Sequence, residues 1–521
     1  MGRNKKYNYA LIQKLCKRKK EISVTEVAKE YCEREGLEYG EGVRKSFSAI
    51  IKNLNIKTPE LKANETTEYQ KAIGKRVKKK KRFMVTWAQA HTPVDKKVWK
   101  GMKLLAKEYK AEIIVIPGTY VNPQSKYGYM ETTWDTDLLP YLHASEDKLH
   151  PFLSLISDAN VLPTAQRPLR GFEGITGEES SIVGHPRHHF EVVPTLPNSR
   201  EKFMATTGSI TVPNYRNARV GKKAQFHHII GFLVVEIFDE ENFVMRQVSA
   251  NSDGTFQDLT YTFDGKKIGK KGTFDTIILG DLHLGHHDKQ MLSETKKIAK
   301  KGKTKKMVCH DIFDGRSVNH HNSKDFVEKV LMTRKGSNSL RRELQEMYDW
   351  IENWRKDYEL YIVPSNHNDW LDRWVRNGDG QKDVINAELF NDFQKVLFEE
   401  KANKGLIAYL IDQNCGDNVY TLHRNDSLKV KGHELNNHGD YGANGSRGSA
   451  NAYKKLNVKI VSGHGHSIYT LDGAYGVGIS TEKDHGYNLG LSSWTKSHGV
   501  INGYGKYQHL IYTNGKFTEL I

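Results

Sequence analysis

The chain has 521 residues, of which 37% are hydrophobic and 27% charged, and its formal net charge at pH 7 is +17. This composition describes a folded protein with a polar surface and excludes a disordered chain. No stretch reaches the roughly 20 consecutive apolar residues of a membrane helix, and the N-terminus lacks a hydrophobic signal core. We therefore expect about two to four domains in a soluble protein with no membrane partner.

The charge and the cysteines indicate the setting of the protein. Lysine and arginine number 79 against 62 aspartates and glutamates, so the surface attracts polyanions, and nucleic acid is the leading candidate partner. Charge that only solubilises the protein is the plain alternative. The four cysteines lie far apart with no CxxC pair. This spacing argues against disulfides and a cysteine zinc site, and it favours a reducing cytosol.

Residues 1–56 predict a small helical domain. Ser23 and Glu26 have capping-box spacing at the start of a helix over residues 24–31. A second predicted helix carries an apolar stripe that includes Val43 and Phe47. The two helices resemble a helix-turn-helix unit that reads DNA, although a plain helical hairpin needs the same stripe. Three cations elsewhere on the second helix are candidate DNA contacts: Arg44, Lys45 and Lys52.

Residues 57–82 predict a basic linker. The stretch KRVKKKKR at 75–82 holds seven cations in eight positions. Such a run cannot pack into a core, so we expect it to be solvated or to contact phosphates. Its candidate DNA contacts are Lys78, Lys79, Lys80 and Lys81.

Residues 83–270 predict an α/β middle domain of unknown role. A strand at 83–87, a helix at 95–109 and a strand at 113–116 form a β-α-β unit. Histidines cluster downstream in GHPRHH (184–189) and FHH (226–228). Because such pairs are more often surface or hydrogen-bonded core residues than ligands, we assign them no metal.

Residues 271–521 carry most of the recognisable chemistry. Five polar segments occur where predicted strands give way to loops: GDLHLGHHD (280–288), HDIFDG (310–315), SNHND (365–369), NNHGD (436–440) and SGHGHS (462–467). Strand ends are where α/β folds collect functional groups. Oxygen and imidazole ligands without thiolates suit divalent ions such as Mn²⁺, Fe²⁺ or Zn²⁺. The set is large enough for two ions roughly 3.5 to 4 Å apart.

In this order, the segments resemble the calcineurin-like metallophosphoesterase superfamily, whose pattern is D-x-H, G-D-x-x-[DN], G-N-H-[DE], a lone His and G-H-x-H. DLHLG in particular is similar to the branch that contains the double-strand-break-repair exonucleases. The resemblance implies an α/β fold: a metallophosphoesterase β-sandwich flanked by helices over residues 271–521, beside the middle and N-terminal domains. It also implies two divalent ions as cofactors, with Mn²⁺ favoured and Mg²⁺, Fe²⁺ or Zn²⁺ as alternatives.

The resemblance also implies a role for each motif residue. One ion would be held by Asp281, His283 and His466, the other by Asn366, His438 and His464, with Asp311 as the bridge. His367 would protonate the leaving oxygen or stabilise charge on the phosphoryl group. Three residues depart from the family pattern: His310, Ser365 and Asn368. They occupy backbone or outer positions, so we expect them to affect orientation and rate more than metal binding. His433 competes with His438 as the lone histidine.

The order of a basic N-terminal region, a middle domain and a phosphoesterase core also resembles the large early DNase and DNA-transfer proteins of tailed phages. That resemblance implies destruction of host DNA early in infection, a homo-oligomer, and a location in the bacterial cytoplasm.

The leading functional prediction is a dinuclear-metal DNase, because the metal chemistry and the net charge favour the same substrate. A phosphatase of the same superfamily acting on proteins or nucleotides uses the same ligands but needs no large cationic surface. A DNA-binding scaffold with a degenerate metal site is the alternative from another class. The C-terminus predicts a β-hairpin that turns at Asn514 and Gly515 and completes the catalytic sheet.

Overall fold

The computed structural model describes residues 11–12, 15, 24–40, 43, 47, 80–127, 133–196, 199–319, 325–483 and 490–521. The chain divides into two compact units, Met1–Ala72 and Ile73–Ile521. The predicted division at residue 270 therefore falls inside the second unit. Five candidate DNA contacts lie outside the described residues: Arg44, Lys45, Lys52, Lys78 and Lys79. Lys80 and Lys81 are exposed and directly precede the first strand of the second unit.

The first unit contains the helix Val24–Arg34, which covers the predicted residues 24–31. Its buried apolar cluster consists of Ile12, Leu15, Val27, Ala28, Tyr31, Cys32, Val43 and Phe47. The rings of Tyr31 and Phe47 meet edge to face, with centroids 4.9 Å apart. The predicted stripe at Val43 and Phe47 therefore packs into a core, as both a DNA-reading unit and a plain helical hairpin require.

The second unit is built from strands in three groups. The first group is β1 Arg82–Gln89, β2 Glu112–Gly118, β3 Asp147–His150, β4 Leu153–Ile156, β5 Ser180–Val183, β6 His189–Val193, β7 Lys202–Thr206, β8 Gly231–Ile237 and β9 Phe243–Ser249. A small sheet follows, with β10 Phe256–Asp258, β11 Tyr261–Phe263 and β12 Ile268–Gly269. The last group is β13 Phe274–Ile278, β14 Lys306–Cys309, β15 Glu359–Ile362, β16 Val419–Thr421, β17 Lys429–Val430, β18 His433–Glu434, β19 Lys459–Ser462, β20 Tyr469–Leu471, β21 Ala474–Gly476, β22 Ser497–Asn502 and β23 Tyr507–Ile511.

Helices separate many of these strands, so the protein is mixed α/β. The α-helices of the second unit are Lys96–Tyr109, Arg219–Phe226, Lys289–Lys301, Phe326–Lys335, Leu340–Trp354, Asn366–Arg376, Ala387–Phe398, Leu406–Asn414 and Ala450–Tyr453. Within the part of the chain that the structure describes, no helix has the length and apolar character needed to cross a membrane.

The first and last groups of strands build the same arrangement twice. In the first repeat (residues 82–249) the strand orders are β2-β1-β8-β9 and β6-β7-β5-β4-β3. In the second repeat (residues 274–511) the corresponding orders are β14-β13-β22-β23 and β20-β21-β19-β18-β17. Corresponding neighbours share the same parallel or antiparallel sense throughout. Among the described strands of these two groups, β15 and β16 lack a counterpart, and they extend one edge of the second repeat.

Backbone hydrogen bonds match residue by residue between the repeats. The amide of Trp87 donates to the carbonyl of Gly208 over 3.1 Å, and the amide of Asp281 donates to that of Gly478 over 3.0 Å. In return, the amide of Ile210 donates to the carbonyl of Trp87, and the amide of Ser480 donates to the carbonyl of Asp281, each over 2.9 Å. Trp87 and Asp281 therefore occupy equivalent positions at the ends of β1 and β13.

The first helix of each repeat also begins in the same way. The carboxylate of Asp95 accepts hydrogen bonds from the first-turn amides of Lys96–Tyr109. The carboxylate of Asp288 accepts one from the first turn of Lys289–Lys301. The amide of Asp95 donates to the carbonyl of Ile210, and the amide of Asp288 donates to that of the equivalent residue Ser480, each over 2.8 Å. Because the similarity extends from sheet order to helix capping, we treat the repeats as two copies of one fold.

The repeats meet where β6 pairs antiparallel with β20, which joins their five-stranded sheets into one sheet of ten strands. Thr470 pairs with Phe190 at this junction. Thr470 and Phe190 occupy equivalent positions in the two repeats. Thr470 pairs with Tyr475 of β21, and Phe190 pairs with Ala205 of β7, the strand that corresponds to β21. A residue that pairs with its own counterpart lies at the axis of a pseudo-two-fold relation between the repeats.

Both repeats have the same layers. In the first, helix Lys96–Tyr109 covers one face of β2-β1-β8-β9, and apolar residues such as Val85 and Leu155 join its other face to the ten-stranded sheet. In the second, several helices cover the six-stranded sheet, and residues such as Ile278 and Val461 join that sheet to the other half of the ten-stranded sheet. Burial of two apolar faces per sheet holds each repeat together.

Residues 326–354 form two helices, because Gly336 ends the first in a left-handed conformation (φ 65°) and Ser339 caps the second. One predicted element differs from the structure. The C-terminal hairpin is formed by β22 and β23 rather than across Asn514 and Gly515. Those two residues do form a tight turn, with φ of 47° and 75°, but no strand follows it.

Candidate metal centre

The second repeat brings the predicted ligands together at the ends of its strands. The residues that follow β13, β14, β15, β18 and β19 are Asp281, His283, Asp311, Asn366, His438, His464 and His466. Backbone hydrogen bonds connect the loops: the amide of His283 donates to the carbonyl of Asp311 over 2.7 Å. The amide of His464 donates to Oδ2 of Asp281 over 2.8 Å. A continuous chain of short contacts, described next, links all seven.

Four of these residues have left-handed backbone conformations. The φ angles are 39° at His283, 43° at Asp311, 62° at His464 and 54° at His466. Such angles are uncommon outside glycine and cost free energy, on the order of 1 kcal/mol or more per residue. They follow strands of both packed sheets, and their concentration at these strand ends marks a local structure that aims side chains at the expense of stability.

The first ligand group surrounds His466. Its Nε2 lies 3.1 Å from Oδ2 of Asp281 and 3.3 Å from Nε2 of His283. His283 Nε2 is in turn 3.6 Å from Oδ2 of Asp311. One potential ligand atom from each of these four residues lies within 4.8 Å of the others. Two imidazoles and two carboxylates at this separation can hold a divalent ion.

The second ligand group surrounds His438. Its Nε2 lies 3.1 Å from Oδ2 of Asp311 and 3.0 Å from Oδ1 of Asn366. The His438 and His464 rings approach each other with centroids 5.2 Å apart. Asp311 therefore contacts both groups, His283 on one side and His438 on the other. His433, the alternative to His438, packs near Tyr475 instead, and its Nδ1 lies 3.2 Å from the Lys431 carbonyl.

Asp314 belongs to the centre, although we did not include it among the predicted ligands. Its Oδ1 lies 3.2 Å from Nδ1 of His283, and its carbonyl accepts a 2.6 Å hydrogen bond from Nδ1 of His367. The rings of His283 and His367 are 4.5 Å apart. The signal was in the sequence, since Asp314 occupies the final [DN] of the G-D-x-x-[DN] pattern.

The electrostatics of the centre match closely packed opposite charges. Burial lowers the pKa of His438, but the carboxylates of Asp311 and Asp281 outweigh burial and raise it to about 9. Burial raises the pKa of Asp311, yet His438 and His367 hold it well below its usual range. The pKa of Asp314 falls to about 2 because hydrogen bonding and charge from His283 outweigh burial. A proton on His438 thus supplies positive charge of the kind that a bound cation would supply.

Two buried carboxylate oxygens without hydrogen-bond partners support the fit of these donors to divalent metal ions. Oδ1 of Asp281 and Oδ1 of Asp311 are fully buried, and neither has a hydrogen-bond partner among the described residues. A buried carboxylate oxygen without a partner is costly, so such atoms call for an explanation such as an ion. Buried histidine and aspartate groups of this kind could hold metal ions.

The three residues that depart from the resembled pattern lie beside the candidate ligands. Ser365 caps helix Asn366–Arg376, because its hydroxyl accepts a hydrogen bond from the amide of Asn368. His310 is buried, with a ligand atom within 4.8 Å of those of Asp281 and His438. Next to Asn368, Asp369 supplies the carboxylate and pairs with Arg424 at 2.8 Å.

Arg424 connects two of the segments that carry candidate ligands. It bonds Asp369, in the first turn of helix Asn366–Arg376, and Asp440, in the loop of His438, the latter through two hydrogen bonds of 2.9 and 3.1 Å. An arginine in this bidentate geometry orients both carboxylates and the segments that hold them. The remaining polar residues after DLHLG have outer roles: His286 Nε2 lies 3.8 Å from Asp314, and Asp288 caps a helix.

The first repeat has apolar residues at the positions equivalent to Asp281 and Asp311. Trp87 replaces Asp281, and extending the parallel ladders of β1–β2 and β13–β14 places Ile116 where Asp311 stands. Glycines 184 and 463 correspond: a Cβ on Gly463 would lie 2.2 Å from Oδ1 of Asp281, and one on Gly184 would lie 2.9 Å from the Trp87 indole. His185 then corresponds to His464. In the first repeat, an indole fills the space that carboxylates occupy in the second.

These features define a mixed α/β protein with a buried centre of carboxylate, imidazole and amide groups that could hold metal ions. No family model matches the chain. The chain is similar to "Protein A1" of Escherichia phage T5, at 29% identity over 471 residues that cover 85% of this chain and 83% of that protein. This similarity supports a phage origin. No solved structure matches the chain.

Proposed function

We propose that the second repeat is a metallophosphoesterase domain that hydrolyses DNA phosphodiester bonds with two divalent metal ions. The observation that carries the proposal is the position of Asp311. Its Oδ2 lies 3.6 Å from Nε2 of His283 and 3.1 Å from Nε2 of His438, which belong to the two separate ligand groups. A carboxylate between two such groups is what a dinuclear centre requires of its bridge.

In this proposal Asp281, His283 and His466 would hold one ion, Asn366, His438 and His464 would hold the other, and Asp311 would contribute to both. The ions, when bound, supply positive charge to the phosphate and lower the pKa of a water molecule to make it a nucleophile near neutral pH. Mn²⁺ is the favoured ion, with Mg²⁺, Fe²⁺ and Zn²⁺ as alternatives. Asp314 orients the ring of His283 by accepting from its Nδ1, as outer ligands of metal-binding histidines commonly do.

His367 is the proposed catalytic residue. Because the carbonyl of Asp314 can only accept, the Nδ1–H of His367 is the donor in their 2.6 Å hydrogen bond, and Nε2 remains to exchange a proton with substrate. Burial lowers the pKa of His367 to about 4, so the imidazole is neutral at pH 7 without substrate. Protonation of the leaving oxygen then requires that the phosphate anion raise this pKa; stabilisation of phosphoryl charge through an Nε2–H has the same requirement.

DNA is the proposed substrate because the chain carries a net charge of +17 and a cationic stretch at residues 75–82. Lys80 and Lys81 of that stretch are exposed and therefore free to contact phosphates. A phage origin suits degradation of host DNA early in infection, in the bacterial cytoplasm. A homo-oligomer is part of the same proposal, and its test is the mass of the protein in solution.

The test incubates the full chain with linear and closed-circular duplex DNA in EDTA, Mg²⁺ or Mn²⁺. His464→Asn and His185→Asn are a matched pair of variants, because they change equivalent histidines in the two repeats. We expect metal-dependent cleavage by the wild type and by His185→Asn, and its loss in His464→Asn. Cleavage of the closed circle would add endonuclease action.

Other outcomes favour the alternatives. Hydrolysis of small phosphomonoesters without cleavage of DNA would replace the nuclease by a phosphatase. Salt-sensitive DNA binding with no cleavage in any metal would favour a scaffold. Equal activity of His464→Asn and the wild type would contradict the ligand assignment.

A further inference from the structure

A cavity of about 540 Å³ lies between the two repeats, away from the candidate ligands, none of which lines it. The first repeat contributes His188, His227 and Gln247 to its wall, and the second contributes Lys459, Asp472 and Lys506. Its volume is within the range of small-molecule sites, about 300 to 1,000 Å³. Because the wall comes from both repeats, the cavity exists only when they are paired.

The acidic group of the cavity is already neutralised. Among the described residues that line it, Asp472 alone carries a carboxylate. Asp472 accepts two hydrogen bonds, of 3.1 and 3.2 Å, from the Arg187 guanidinium of the other repeat. The ring nitrogens of His189 and His227 each lie 3.3 Å from the same carboxylate. This carboxylate is therefore unable to balance further positive charge.

Three lysines line the cavity in addition: Lys454, Lys459 and Lys506. None of them forms an ion pair with a carboxylate in the part of the chain that the structure describes. Lys506 is partly buried, and burial together with the charge of Lys459 lowers its pKa. Lys459 and Lys506 are close enough for their charges to interact, and Asp253 offsets this repulsion only in part. Cations near one another attract an anion, and a phosphate suits them because it can accept from several ammonium groups.

The same cavity has an apolar edge. Phe226, the last residue of its helix, is 82% exposed, and Leu456 is 43% exposed; both line the cavity. A large exposed aromatic ring beside a cationic cavity can stack on a planar ring of a ligand. The ring and the lysines together select a ligand with a planar heterocycle at one end and a phosphate at the other.

We propose that this cavity binds a nucleoside monophosphate, with the phosphate at Lys454, Lys459 and Lys506 and the base against Phe226. The site differs from the metal centre in its residues and in its chemistry, which is electrostatic and needs no metal ion. It would bind the nucleotide whether or not the metal centre cleaves DNA.

The test is calorimetric titration of the full chain with deoxyadenosine monophosphate in EDTA, which prevents phosphate binding through metal ions. Deoxyadenosine and inorganic phosphate are titrated separately to distinguish the two ends of the ligand. We expect one nucleotide per chain, weaker binding of phosphate and none of the nucleoside. Lys506→Gln should weaken nucleotide binding by about 10-fold or more, as expected for loss of one charge-assisted contact.

Lys455→Gln is the matched control, since Lys455 is exposed on the same segment but does not line the cavity. It should bind the nucleotide as the wild type does, while Phe226→Ala should weaken binding of the nucleotide and leave that of phosphate unchanged. The unfolding temperature of each variant without ligand checks that it is folded. No nucleotide binding, equal binding by folded Lys506→Gln, or equal affinity for phosphate and nucleotide would each overturn the proposal.

Discussion

The two repeats share strand order, hydrogen-bond pattern and helix caps, yet they fill the ends of their first two strands with opposite chemistry. The second repeat has Asp281 and Asp311 there, both fully buried, and the first has Trp87 and Ile116. One backbone thus supports either a charged centre or a packed apolar one. This fold therefore forms without such a centre, which indicates that the polar residues of the second repeat serve a function rather than stability.

The energetics of the two ends differ in the same sense. Burying the indole of Trp87 removes a large apolar surface from water and stabilises the first repeat directly. Burying two carboxylates is favourable only with compensating positive charge, which histidines such as His438 supply in part and metal ions would complete. We therefore expect metal to stabilise the second repeat, and removal of Trp87 to destabilise the first.

Asp311→Asn should produce the largest change. It keeps the shape of the side chain but removes the charge between the two ligand groups, so Mn²⁺-dependent DNA cleavage should fall by on the order of 10²-fold or more. The measurements are the cleavage rate at saturating Mn²⁺ and the number of Mn²⁺ ions bound per chain, which should fall from two. Asp158→Asn, a change of an exposed acid in the first repeat, is the control and should alter neither. Full cleavage by Asp311→Asn would remove the bridge from the proposal.

Trp87→Ala tests whether the buried indole stabilises the first repeat. The side chain is 1% exposed and its indole lies against Gly118 and Gly184, so the substitution leaves a cavity that the backbone cannot easily fill. We expect a loss of about 3–5 kcal/mol in the free energy of unfolding, measured with urea. Cleavage per folded molecule should stay within about two-fold of the wild type, because the metal centre lies in the other repeat. Trp87→Phe should lose less stability, and an equal loss in both variants would point to a cause other than the cavity.

Asp314→Asn should have a smaller effect than Asp311→Asn. Asp314 contacts His283 at 3.2 Å rather than lying between the two ligand groups, and loss of such an outer contact costs about 10- to 100-fold in metal affinity or activity. Titration with Mn²⁺ should show weaker binding with an unchanged number of ions. Loss of an entire ion would instead make Asp314 a ligand in its own right.

The sequence predicted the parts of the protein that depend on local order. The β-α-β unit at residues 83–116 is present, because periodic apolar residues and the Asp95 cap act over short distances. The seven candidate ligands lie close together because each follows a strand, and the two sheets that hold these strands pack face to face with those strand ends at the same side. The assignment of one metal ion to each ligand group stays a prediction.

The repeat was not predictable, because its evidence is long-range pairing rather than motif. The first repeat has lost the acidic ligands, and its strands pair in the same register with different side chains. One local signal does survive: Gly184 and His185 of GHPRH correspond to Gly463 and His464 of GHGHS. The matching strand orders and backbone hydrogen bonds of the structure are what align the two segments.

His498 lies in the core of the second repeat, and its substitution should change stability less than the changes above. The amide of Ser497 donates to the carbonyl of Ile479, and the amide of Gly231 donates to the equivalent carbonyl of Ser209 in the first repeat. Ser497 and Gly231 therefore correspond, and so do the residues after them, His498 and Phe232. Nδ1 of His498 accepts from the amide of Gly280 at 3.0 Å, and Nε2 lies 2.8 Å from the Thr295 hydroxyl. That hydroxyl donates to a backbone carbonyl, so Nε2–H is the donor and the ring is neutral.

Burial lowers the pKa of His498 from 6.5 to about 3. Between these values the unfolded chain binds the proton and the folded protein does not, so the stability from the neutral ring is complete above pH 6.5 and is lost as the pH falls towards 3. His498→Asn keeps an acceptor for Gly280 but cannot titrate. In urea unfolding with EDTA, the wild type should lose about 1.5 kcal/mol more than His498→Asn between pH 6.5 and 5. If the free energy of unfolding depended on pH equally in the two proteins, this prediction would be wrong. His498 would then bind a proton in the folded protein, for example through local opening of the second repeat.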